Sequence, residues 1–568
     1  MSPEVFLRDP LATTLLERVE RSPEARTLLA TLRDGWNRAD QGGKWPRVAL
    51  KGLVGSSRAL VAAWLQDQLD ASIVWVVPHG ETYEAARDDL EYFAGRGATL
   101  PFPEPDAAPY DASSPHPSVT AERLETLSRL AAGTRGVVLT TVRGVLQKVP
   151  RPTRLHGARL DLRTGADADP MALVERLVFL GYERFPEVEA VGHCARRGGI
   201  LDVWPVGWND PLRIEFDGDT IASLRRFDAG TQRSLEKLGE AAVLPRYEII
   251  VAPSEAGAIA QRLRDAGDEA AKGGSALFHE GMERFAGYYD ADLGGLLDHL
   301  PDDTIVLLDD PVALQARVED LWEGVQRGFT EARRDYPLLS PPEALWFGPD
   351  TWTRLCETRR GADMLGTVRE AGRVARHAVT LDLEVAPAEP LQRSMEKLKT
   401  HLEDLAVRDL HPVVLCDNAG QRDRLFEMIG DRGATLGVGL LSSGFTWPGA
   451  GLAVLTDHEI FARYRRRRRR TRKSAGLTAA ETLVEARALT AGVQHGAAAA
   501  GPCRMRLRID VQPQRVARIA HARACLELRP VGHDDDDLMI FRVDARFHVE
   551  VPCHKAPPIP TGSEEAGV

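Results

Sequence analysis

The segment Gly52-Leu-Val-Gly-Ser-Ser-Arg-Ala59 has the residue types of a phosphate-binding turn in nearly the right spacing. A working loop of this kind follows G-x-x-x-x-G-K-[ST]. Its glycines let the backbone approach the phosphates, its lysine holds their charge and its hydroxyl ligates magnesium. Here Gly52 is kept, while Ser57, Arg58 and Ala59 stand where glycine, lysine and serine or threonine belong. Arg58 preserves a cation, but Ala59 offers a metal nothing. The acidic pair ending Leu308-Asp309-Asp310 could pass for the carboxylate that accompanies such loops. With the lysine and hydroxyl both missing, the phosphoryl-transfer constellation is incomplete. A degenerate nucleotide site at Gly52, Ser57, Arg58 and Ala59 is expected, with no ATP hydrolysis and no bound cofactor.

Other chemistries fail on inspection. His279-Glu280-Gly-Met-Glu283 has Glu283 where a zinc-binding helix needs its second histidine. No G-x-S-x-G supplies a nucleophile. The six cysteines contain no C-x-x-C pair, so neither a zinc site nor a disulfide framework is expected. Asp534 to Asp537 lacks the glycine turn and distal glutamate of a calcium loop, and reads as a solvated acidic run. No metal ligands and no catalytic residues are therefore assigned.

The elements that must position these residues alternate. Apolar stretches at 47–53, 71–77 and 136–141 are separated by helical ones, which implies a parallel α/β sheet. Further strands are expected at 247–253 and 304–310. Between the second and third strands runs LPFPEPDAAPYDASSPHPS, read as a long loop because its prolines oppose regular structure. The 568 residues partition as follows: 1–156, first part of an α/β domain; 157–245, a small α+β module; 246–384, second part of the α/β domain; 385–463, another small α/β domain; 464–474, an arginine-rich linker; 475–568, a tail without assignable fold and expected to be poorly ordered. A net charge of −11 argues against a surface that coats nucleic acid throughout. No apolar run reaches the roughly 18 residues of a membrane helix, and the N-terminus has no signal-peptide pattern, so a cytoplasmic protein is expected.

The 157–245 module carries clustered arginines. Asp169-Pro170 opens a helix, and three strands follow at GILDVWPV, LRIEFDG and DTIASLRRFD, the last two joined at Asp217-Gly218. Alternation puts Leu212, Ile214 and Phe216 on one face, Arg213 and Glu215 on the other. Arg196, Arg197, Arg225 and Arg226 flank them. From pattern alone these guanidiniums fit a salt-bridged surface and a charged docking face equally well.

These same motifs resemble a known family. Gly198 to Pro205, Leu212 to Asp219 and Leu224 to Ser234 are similar to the UvrB-homology region of bacterial transcription-repair coupling factors. The loop from Leu100 to His116, followed by Ala121-Glu-Arg-Leu, resembles their first domain. Gly444-Phe-Thr-Trp-Pro448 with the segment from Leu452 to Phe461 resembles their third. The likeness covers roughly 10–473 and includes the degenerate phosphate loop. It implies a UvrB-like α/β fold whose ATPase function is lost, with an inserted module that docks on UvrA, the damage-recognition ATPase of nucleotide excision repair. The family's UvrA-contacting arginines fall on Arg197 and Arg213, both expected at the module's surface. Its contacting phenylalanine falls on Asp217, where only the adjacent Phe216 could substitute. RNA polymerase and DNA would be partners only of a longer protein carrying the family's later domains, which the stretch from 475 does not resemble. The resemblance thus implies a non-catalytic, UvrA-recruiting portion of a coupling factor. The alternatives are an inert truncated or frame-shifted product and, more remotely, an ATP-dependent UvrB-like helicase subunit.

Overall fold

The computed structural model describes residues 8–34, 47–265, 277–336, 339–366 and 377–461, together with four strands between 504 and 551. The chain forms two compact units, Met1–Arg467 and Arg468–Val568.

The first unit is built on a seven-stranded sheet. Its strands are β1 (Arg47–Lys51), β2 (Ile73–Val77), β3 (Thr99–Phe102), β4 (Val137–Thr141), β5 (Ile305–Asp309), β6 (Gly361–Met364) and β7 (His377–Asp382), in the order β7-β1-β6-β5-β2-β4-β3. Every neighbouring pair is parallel. Strand alternation divides the core. Ile73, Trp75 and Val77 face one apolar cluster, and Val74 and Val76 face the other. The first cluster is completed by Leu16 and Leu28 of the N-terminal helices and by Val413, Phe445 and Leu452 of the region after 385. The second is completed by Leu173, Leu201, Leu212 and Ile214 of the inserted module. One buried cation ties the sheet together across β1, β6 and β7. Arg47 donates to Asp363 at 2.7 Å, and His377 bonds the other oxygen of that carboxylate at 2.8 Å. Burial alone would raise Asp363, but Arg47 and His377 hold it below the usual carboxylate range.

Two expectations need correction. Thr99–Phe102 is a strand although it contains Pro101; it lies at the sheet edge, where proline is tolerated. Residues 247–253 form no strand. Ile249 and Val251 fill one apolar cluster and Ile250 another, but no neighbouring strand offers a ladder.

The inserted module enters and leaves through an antiparallel ribbon, Leu160–Arg163 against Glu240–Val243. Beyond this neck, Asp169 caps helix Pro170–Phe179 through Met171 N at 2.8 Å, with Pro170 in the first turn. A six-stranded sheet follows, where the sequence suggested three strands. Its order is Ser234–Leu238, Thr220–Phe227, Leu212–Asp217, Ile200–Val203, His193–Arg197, Glu183–Arg184. The hairpin turn consists of Gly218 and Asp219, and positive φ falls on Gly218 (60°), not on Asp217.

The region after 385 is a five-stranded sheet in the order Ala386–Pro387, Phe445–Trp447, Leu452–Thr456, His411–Cys416, Thr435–Val438. The run Arg465 to Arg470 lies outside the described residues. After 475 only four strands are described. Arg529–Asp534, Leu538–Val543, Arg504–Ile509 and Phe547–Val551 pair in that order as a four-stranded sheet. The sequence Arg504-Met-Arg-Leu-Arg-Ile509 alternates with period two, a strand signal too short to register against a search for sustained helical periodicity. Asp535 to Asp537 and the rest of that tail lie outside the described residues.

Candidate functional site

The turn after β1 is filled by the protein's own groups. Gly52 and Gly55 both adopt positive φ, at 73° and 51°. A side-chain carbon at Gly52 would stand 2.7 Å from Asp382 Oδ1, and one at Gly55 would collide with the Ser443 side chain. Two of the turn's amides are committed within it: Ser57 N donates to Val54 O at 3.2 Å and Arg58 N to Gly55 O at 3.4 Å. Ser57 Oγ donates to Val54 O at 2.7 Å and accepts from Val54 N at 3.0 Å. Ser56 Oγ donates to the Ser443 carbonyl at 2.6 Å. Ala59 is fully buried at the start of helix Ser57–Leu69.

Arg58 and Asp309 meet as an ion pair. Asp309 ends β5 and is buried. Burial pushes its carboxyl up to about 6, with Arg58 opposing the rise and Asp310 adding to it. The cation and acid that suggested nucleotide chemistry thus neutralise each other. The adjoining cleft, about 260 Å3, is bordered by Glu81, Asp89 and Asp309 together with Arg58 and His79, so its one arginine is already held by a carboxylate. Ser442 closes one wall, donating to Asp89 through its amide at 2.5 Å and its hydroxyl at 2.6 Å.

The second candidate is the arginine-bearing face of the module. Asp202, buried within strand Ile200–Val203, gathers both expected docking residues. Arg213 reaches it through Nε at 2.8 Å and Nη2 at 2.9 Å, and Arg197 through Nη2 at 3.3 Å. Arg213 also stacks over the Phe227 ring at 4.2 Å and donates to Gln232 at 2.9 Å. Its side chain is only 14% exposed, so the expectation of a surface residue is corrected: a buried carboxylate draws it inward. Arg197 stays 44% exposed and also pairs with Glu187 at 2.9 Å. Phe216 remains on the core side, half-buried, while Asp217 is exposed at the end of its strand. Among the described residues Asp217 makes no ion pair with either arginine.

The flanking arginines are mostly committed. Arg225 lies 3.6 Å from Glu215, and Arg226 pairs with Asp210 and Glu236. Arg196 has no carboxylate partner among the described residues; it donates to the Met171 sulfur at 3.2 Å. The module exposes Met171 there and, elsewhere on its surface, Phe185, the latter stacked on His193 at 3.8 Å between centroids. Sequence reasoning missed Asp202, Glu187 and Phe185. An aspartate between Leu201 and Val203 in an apolar strand was the available signal, since such a carboxylate must find cations.

Residues 160–248, from the neck ribbon to just past its return strand, match the family model of the UvrB interaction domain. Over 483 residues, 75% of this chain, the sequence is 31% identical to the transcription-repair-coupling factor of Myxococcus xanthus and covers 40% of that protein. It is 25% identical to the Escherichia coli factor over 74% of this chain and 39% of that protein. Against the Bacillus subtilis factor the identity is 26% over 49% of this chain and 25% of that protein. The chain is therefore similar to the N-terminal region of these factors and spans two fifths or less of their length.

Two outcomes follow for variants of these sites. The raised Asp309 carboxyl is disfavoured in its ionised form, so its penalty on folding is absent below the unfolded value near 4 and complete above 6. Asp309→Asn should gain stability relative to the parent as pH rises between about 4 and 6, by about 3 kcal/mol at most. Urea unfolding across that range measures it, and a difference independent of pH would refute it. Arg213→Ala should lower the module's stability by about 2 kcal/mol, less than the roughly 3–5 kcal/mol of a buried pair broken outright, because Arg197 still reaches Asp202. Hydrogen exchange of strands Ile200–Val203 and Leu212–Asp217 would report the loss; unchanged protection would mean that Asp202 is satisfied without Arg213.

Proposed function

We propose that this chain recruits UvrA in transcription-coupled nucleotide excision repair, acting as a docking element rather than as an enzyme. The observation that carries the reading is the UvrB interaction domain at 160–248, held on the parallel sheet through its neck and a shared core. Arg197, half-exposed and anchored from beneath by Asp202, is the charged contact. Exposed Phe185, which follows the strand paired with His193–Arg197, supplies apolar surface on the same module. Asp217 takes the place of the aromatic residue expected there. RNA polymerase and DNA would be engaged by later domains of the longer relatives.

The filled turn supports the non-enzymatic part. Amides of Ser57 and Arg58 bonded within the turn, an ion-paired Arg58 and a buried methyl at Ala59 leave a magnesium nucleotide few donors and no hydroxyl ligand. Equilibrium titration with magnesium ATP should show no saturable binding. Micromolar affinity abolished by Arg58→Ala would overturn this.

A UvrA binding titration tests the docking. Arg197→Ala should weaken binding by about 2 kcal/mol, roughly thirtyfold, with folding preserved because its side chain is half in solvent. Asp217→Phe should tighten binding by adding apolar area and removing a negative charge beside the arginines' acidic targets. Wild-type affinity in Arg197→Ala would mean that the interface lies elsewhere.

A further inference from the structure

Arg196 and Arg197 are neighbours on strand His193–Arg197, and alternation sends their side chains to opposite faces of the sheet. Arg197 lies on the face of its ion-pair partner Asp202. Arg196 stands opposite Leu201, which shares an apolar cluster with Leu173 and Leu177 of helix Pro170–Phe179. It is therefore on the helix-covered side, where its Nη1 donates to the Met171 sulfur at 3.2 Å. Among the described residues no carboxylate pairs with Arg196. A full guanidinium charge is thus matched with a thioether, a weak acceptor.

Met171 is also the methionine most open to solvent among the described residues. It is 42% exposed, whereas Met282 and Met364 are fully buried and Met395 and Met428 pack against the core of the region after 385. Its amide donates to Asp169 Oδ1 at 2.8 Å in the first turn of its helix. Side chains there lean toward the helix N-terminus, the positive end of the dipole. Arginine and helix end both favour a more electron-rich group than sulfur at this spot.

We propose that Met171 is a site of reversible oxidation by hydrogen peroxide, with Arg196 holding the sulfoxide product. The sulfur lone pair attacks one peroxide oxygen, the O–O bond breaks, and hydroxide leaves. The proton on the transferred oxygen passes to that hydroxide, giving sulfoxide and water. Sulfur loses two electrons and the peroxide gains them. The new oxygen is a strong acceptor beside the Arg196 N–H groups. A weak thioether contact becomes a charge-assisted hydrogen bond, roughly twice as strong as a neutral one. Oxidation then ties the helix start to the strand, and enzymatic reduction of the sulfoxide releases it.

Treating the full chain with hydrogen peroxide tests the site, with peptide mass mapping to locate the oxygen and amide exchange to follow strand His193–Arg197. Met171 should gain one oxygen before Met282, Met364, Met395 and Met428. Exchange in the strand should then slow about tenfold, and recover after treatment with methionine sulfoxide reductases. Both side chains are exposed, so variants at either position should keep the fold. Arg196→Ala should oxidise at Met171 without any slowing. Met171→Gln, whose amide oxygen stands in for the sulfoxide, should slow exchange without peroxide. Unchanged or faster exchange on oxidation overturns the proposal, as does equal slowing in Arg196→Ala or oxidation of a buried methionine ahead of Met171.

Discussion

A parallel sheet has no face that can be left to water. Its crossovers and strand composition make both sides apolar, and both must be covered. Here the seven strands send Ile73, Trp75 and Val77 one way and Val74 and Val76 the other. The N-terminal helices and the module after 385 share the first core; the inserted module shares the second. Neither module is an appendage on a loop. Each supplies part of the core that the sheet requires, and so each is fixed in orientation by it.

Both candidate sites inherit this constraint. Packing the module after 385 against the first face brings Ser442 and Ser443 onto the turn that follows β1, where they meet Asp89, Gly55 and Ser56. On the other side, the inserted sheet buries Asp202 while leaving one of its two arginines half in solvent. The module's electrostatics are therefore organised from within. A buried carboxylate orients Arg197 from below, which limits the rotamers that a partner would otherwise have to freeze on binding.

The sequence made the architecture legible where patterns were long. The β-α alternation, the Asp169-Pro170 helix start and the position of the Gly218 hairpin all stand in the structure. Strands were missed where their partners, rather than their residues, define them. His193–Arg197 reads as charged and Thr99–Phe102 as proline-rich, yet both find a ladder; 247–253 reads as a strand and finds none. At the sites, Arg58 and Asp309 were each visible, but not that they would pair across 251 positions of sequence. Arg213 was visible as alternating outward. What drew it in was Asp202, and such a pairing is set by tertiary proximity. Single-residue patterns carry no record of it.

The filled turn also has an evolutionary consequence. Restoring lysine at 58 and a hydroxyl at 59 would still leave Ser443 packed against Gly55 and the space around Ala59 closed. Once a neighbouring segment has settled into a vacated phosphate seat, its contacts become part of the fold's own stability. Reversion must then first pass through a less stable protein. On the proposed non-enzymatic reading, such contacts would act as a ratchet, holding closed a turn whose chemistry had lapsed.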